Sequence, residues 1–144
     1  MPLVFYCLFF GTNSDVSVNH FVSKVLFQRS FFTNQKCFII TGHHLSYLTA
    51  FLNSKLFRFA FRECFPELLG DTRELSKIFF ENVRVKPIDD LQNNIFSNLV
   101  NRIAVLKKRG EDFIALEEEI EKHLSTIYSL SAEDRKLIDN GIRS

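Results

Sequence analysis

The chain reads as an α+β protein: a small mixed sheet packed on Phe-rich helices, followed by an antiparallel two-helix arm. Three observations predict this. Apolar runs of strand length precede a change to helical period near His43, and everything after Pro87 keeps helical spacing. The 144 residues carry 46% hydrophobic and 24% charged side chains, including 17 Phe and no Trp, so one core of ordinary domain size can form. Only 5 Gly and 3 Pro exclude collagen-like and low-complexity readings.

Taken in order, Met1 to Phe10 is an apolar run too short to span a bilayer and without the basic start of a signal peptide, which leaves a buried strand. Lys24 to Arg29 and Lys36 to Thr41 follow as a hairpin or as neighbouring strands across Thr33-Asn34-Gln35. From His43, the leucines at 45, 48, 52 and 56 and Phe59 recur on one face of a single helix that ends before Pro66. Leu68 to Thr72 is loop, Arg73 to Asn82 a short helix, and Val83 to Lys86 a strand stopped by Pro87.

Beyond residue 87, Asp89 or Asp90 caps a helix with an expected inner face of Leu91, Ile95, Leu99, Ile103 and Leu106. Lys107-Lys108-Arg109 suits its C-terminus and Gly110 its stop. The next helix sets Phe113, Leu116, Ile120, Leu124, Ile127 and Tyr128 on its inner stripe and leaves Glu117, Glu118, Glu119 and Glu121 outside. The two stripes are expected to face each other. Ser131 to Asp134 caps a last short helix that ends near Gly141. The division is thus 1–86, an αβ part, and 87–144, a helical arm.

Catalytic chemistry finds little footing. GxGxxG, GxxxxGK[ST], GxSxG, HExxH and the Asn/Asp-Pro-Pro-Tyr/Phe box are all absent. His43-His44 after Gly42, with Cys37 nearby, is the material of a small Cys/His enzyme, but no acid lies close in sequence; capping or surface roles suit these histidines better. Asp134-Arg135-Lys136 and the stretch from Glu74 to Lys77 read as solvated surface. Cys7, Cys37 and Cys64 form no metal or disulfide spacing, which suits a reducing cytoplasm. No cofactor or metal is expected.

Charge is more informative by region than in total. The net charge is +1, yet residues 1–62 hold six cations (Lys24, Arg29, Lys36, Lys55, Arg58, Arg62) against Asp15 alone. A segment this positive attracts polyanions, or else is ordinary surface scatter.

Three stretches also resemble a known family. These are Leu52-Asn53-Ser54-Lys55-Leu56-Phe57-Arg58-Phe59, then Leu69 to Pro87 beginning Leu69-Gly70-Asp71-Thr72-Arg73, and the tail Ile120 to Asp134. In that order they are similar to the TaqI-like C-terminal specificity domain, the target-recognition part of type IIG restriction-modification enzymes and adenine-specific DNA methyltransferases. The chain departs from the pattern at Asp71, at Arg84 and Lys86, and at Ser129, which replaces a glycine.

The resemblance implies a partial target-recognition domain over 1–86, with the arm as spacer or docking element. Its partners would be double-stranded DNA and an adenine methyltransferase/endonuclease domain in the same or a separate chain, with no membrane. Lys24, Arg29, Lys36, Arg73 and Lys77 are the candidate DNA contacts; Asn53, Ser54, Gly70 and Thr72 are structural. The rival reading is a protein-interaction module that docks a partner through the arm, and a degenerate remnant without DNA binding is the third.

Overall fold

The computed structural model describes residues 4–7, 23–26, 40, 42–64 and 82–143. The expected α+β architecture is not what they build. The described strands are β1 (Val4–Cys7) and β2 (Ser23–Leu26), one antiparallel pair with Val4 opposite Leu26 and Cys7 opposite Ser23. Two four-residue strands are a ribbon, too small to found a sheet layer. Among the described residues, five helices supply every buried hydrophobic side chain: α1 (Leu45–Leu52), α2 (Lys55–Cys64), α3 (Asp90–Arg109), α4 (Ile114–Ile127) and α5 (Ala132–Arg143). The described body is therefore all-helical. Of the strand expected over Lys36 to Thr41 only Ile40 is described, and of the helix expected over Arg73 to Asn82 only Asn82, neither of them in a strand or helix; Val83 to Lys86 is irregular rather than a strand.

The single helix expected from His43 is two. Asn53 ends α1 and its Nδ2 donates to the Thr49 carbonyl at 2.8 Å. Ser54 then starts α2: its Oγ accepts from the Phe57 N–H at 3.1 Å and donates to the Phe51 carbonyl at 2.6 Å. One hydroxyl thus serves an orphan donor of the new helix and a carbonyl of the old one, and it does so while buried. Helical periodicity continues across the break, which hid it.

In α3 the start and stop follow the sequence. Asp89 accepts from Gln92 N–H at 2.7 Å and Gln92 returns a bond to the Asp89 N–H, a capping box. Gly110 sits at φ 69°, and the Glu111 N–H reaches the Leu106 carbonyl at 3.0 Å. The buried arc is a correction. Leu91 is 77% exposed and Ile95 42% exposed, while Phe96, Leu99 and Val100 are buried. At 100° per residue, Phe96 and Val100 pull the centre of the arc well away from Leu91. The cause is tertiary: α3 packs against α1 as well as α4, and Phe96 meets Tyr47 with ring centroids 5.2 Å apart.

On α4, Leu116, Ile120 and Leu124 are buried as expected, while Glu121, expected outside, is half-buried with its carboxylate accepting the Lys55 N–H. Phe51 stacks on Tyr128 at 5.6 Å, joining α1 to the end of α4. The core cluster runs without interruption from Tyr47 to Leu124. Helix α5 lies on α2. A Cβ at Gly141 would stand 2.7 Å from the Phe59 ring, so a bare backbone is required for that approach. Arg62 Nη1 donates to the Gly141 carbonyl at 2.9 Å, completing the α5 C-terminus.

Candidate functional site

A groove of about 770 Å³ opens between the α1–α2 joint and the α3–α4 pair. Its floor is apolar, with Ala50, Val100, Ile103, Ala104 and Ile120, and Ile114 stands 60% exposed at its edge. Five cations line it, Lys55, Arg58, Lys107, Lys122 and Arg135, with three carboxylates, Glu117, Glu118 and Glu121.

Each charged group is held by its helix. Lys55 is the first residue of α2, and its backbone N–H donates to Glu121 Oε1 at 2.7 Å. Glu121 therefore caps the positive end of α2 from another helix. Burial nonetheless raises its pKa, against the lowering pull of that hydrogen bond and of the Lys55 and Arg58 charges. Glu117, one turn earlier, is raised for the same first reason, with Arg58 and Lys107 opposing. Lys107 is lowered by burial while the Glu117 charge acts the other way. The Lys55 ammonium pairs with Asp139 of α5 at 2.8 Å.

A second polar cluster lies at the far end of α4. Tyr47 Oη donates to Tyr128 Oη at 3.3 Å, and the Tyr128 oxygen also accepts from the Lys86 N–H at 3.1 Å. Lys86 Nζ donates to the Ile127 carbonyl at 2.9 Å and lies 5.7 Å from the Tyr128 ring centre. Burial and the Tyr128 hydroxyl push the Tyr47 phenol well above its usual range, so it stays protonated. Lys86 straps the segment before α3 to the helical body.

Of the expected DNA contacts, Lys24 is the second residue of β2, opposite Tyr6. Arg29, Lys36, Arg73 and Lys77 lie outside the described residues, as do Gly70 and Thr72. Asn53 and Ser54 form the α1–α2 joint. For the Cys/His pattern, His44 Nε2 meets Asp90 Oδ1 at 3.0 Å, His43 is exposed, and Cys37 lies outside the described residues. Among the described residues no group of His, Cys, Asp and Glu is arranged to hold a metal, and no helix is long and apolar enough to cross a membrane.

Sequence reasoning missed the groove. Its one available signal was Glu117 and Glu121, four residues apart and hence on one face of α4, beside an apolar stripe. No protein-family pattern, curated protein or solved structure matches the chain.

Proposed function

We propose that this chain is a non-catalytic DNA target-recognition fragment or subunit of a type IIG restriction-modification enzyme, acting in the cytoplasm beside an adenine methyltransferase/endonuclease domain. The observation that carries the reading is the charge of residues 1–62, six cations against one acid, on a chain whose net charge is only +1. Such a segment neutralises phosphates and releases their counterions, while the acidic second half stays off the duplex.

Two structural details support the resemblance on which the reading rests. Asn53-Ser54, the polar centre of the first matching stretch, forms a helix joint, a purpose for which those residue types are suited. Ser129 adopts φ 54° where the pattern has glycine, the residue best fitted to that backbone. In this reading α3, α4 and α5, packed on α1 and α2 of the first half, hold residues 1–86 in place, with the Lys86–Tyr128 contact beside that shared core.

Equilibrium titration of duplex DNA at several salt concentrations tests it, with the methyltransferase domain supplied in trans. Alanine at Lys24, Arg29, Lys36, Arg73 or Lys77 should lower the log-affinity versus log-salt slope by about 1 for each phosphate that the side chain neutralised. A side chain that reads a base instead costs roughly 1 to 3 kcal/mol for the preferred sequence only. Five substitutions that leave affinity and slope unchanged overturn the reading.

A further inference from the structure

The groove carries a set of cations that includes none of the five candidate DNA contacts. Arg58, Lys107, Lys122 and Arg135 line it, yet none stands within ion-pairing distance of a carboxylate among the described residues. Between them lies an apolar floor that includes Val100, Ile103 and Ile120. The end of the groove at α2 already holds one carboxylate, that of Glu121, against a backbone N–H. From this charge pattern we infer that the groove is a docking site for an acidic amphipathic helix of a partner protein. The helix would lay its apolar side on the floor and its Asp and Glu side chains against the rim cations.

Charge arrangement selects the occupant. Duplex DNA carries a negative charge about every 1.7 Å of its axis and cannot avoid Glu117 and Glu118 in the same groove. A helix offers discrete charges at chosen positions, with apolar side chains between them to displace water from the floor. Complementary rim charges then set orientation and speed encounter, while the covered floor provides the holding energy.

The test uses the whole chain and three labelled probes: a synthetic Leu/Glu amphipathic helix, its counterpart with Lys in place of every Glu, and a duplex DNA. Fluorescence anisotropy should show saturable binding of the Leu/Glu helix, at least about tenfold tighter than the Lys counterpart. Joint substitution Lys122→Glu and Arg135→Glu should weaken the acidic helix by about tenfold or more and leave the melting temperature near that of the parent, because both side chains are exposed. Ala104→Leu, which fills the floor, should weaken it too, and less salt-dependently. Alanine at Lys24, Arg29, Lys36, Arg73 and Lys77 should leave helix binding unchanged, which separates this site from the DNA reading. Equal affinity for both helices, absence of saturation by the acidic one, or a charge-reversed groove that loses DNA rather than helix would overturn the inference.

Discussion

The joint between α1 and α2 and the turn between α3 and α4 redirect the chain by opposite means. At the first, no loop intervenes: Asn53 closes one helix and Ser54 opens the next, with Ser54 only 2% exposed. At the second, Gly110 stops α3 in the left-handed region, Glu111 and Asp112 are exposed, and Asp112 accepts the Ile114 N–H at 3.0 Å. A buried junction must satisfy each polar group internally, so side-chain chemistry governs it. An exposed one has water as an alternative partner, so backbone conformation governs it. The two should respond differently to mutation.

The largest effect belongs to the buried joint. Ser54→Ala leaves the Phe51 carbonyl and the Phe57 N–H without their shared hydroxyl, and should cost about 2 kcal/mol by denaturant unfolding. A loss under about 0.5 kcal/mol would mean that water enters the joint and would erase the contrast. At the open turn, Gly110→Ala introduces a Cβ with free space around it but at φ 69°, so its cost is purely conformational, about 1 kcal/mol. Asn53→Ala should fall at or below about 1 kcal/mol, because its residue is exposed and water can replace Nδ2 at the Thr49 carbonyl.

A gain is expected at a third helix end. Helix α4 closes with Ser129 N–H to the Thr126 carbonyl at 3.1 Å and Leu130 N–H to the Ser125 carbonyl at 2.9 Å, the same closure that Gly110 gives α3. Ser129 at φ 54° does this with a side chain present. Ser129→Gly should therefore stabilise by about 0.5 kcal/mol, read as a rise in melting temperature. A fall would show that the serine side chain contributes more than its backbone costs.

The smallest effect is a pH slope. Burial raises the folded-state pKa of Glu121 and Glu117, so between the ordinary glutamate range and their raised values the folded state binds more protons than the unfolded. Stability contributed by these groups is fully present below the ordinary range and lost as pH rises through the raised values. Glu121→Gln keeps an oxygen for the Lys55 N–H and removes one titration, so it should flatten that slope; an unchanged slope would assign it elsewhere. Asp134 acts oppositely: Ser131 lowers its pKa, and its contribution fades as pH falls through the lowered value.

These junctions also mark how far the sequence could be read. A cap at Asp89 or Asp90, the Gly110 stop, the Ser131–Asp134 cap and the Leu116, Ile120, Leu124 stripe were all legible, because each depends on residues within a turn or two of one another. The α1–α2 break was not, since Asn53 and Ser54 interrupt hydrogen bonding without disturbing the apolar period. Nor was the groove, whose Lys55, Lys107 and Glu121 lie on three helices.

Local chemistry in the sequence determined where α3 begins and ends and where α5 begins, and composition determined that a core would form. The tertiary structure decided which arc of each helix that core takes. Helix α3 carries more apolar surface than one neighbour can cover, so contact with α1 drew Phe96 and Val100 inward and left Leu91 and Ile95 outside. Helix α4 brings Glu121 beside the N-terminus of α2, where a carboxylate finds an unpaired N–H that no sequence neighbour provides. Burial and pairing are properties of surfaces in contact, and the two partners of that bond are separated by 66 positions along the chain.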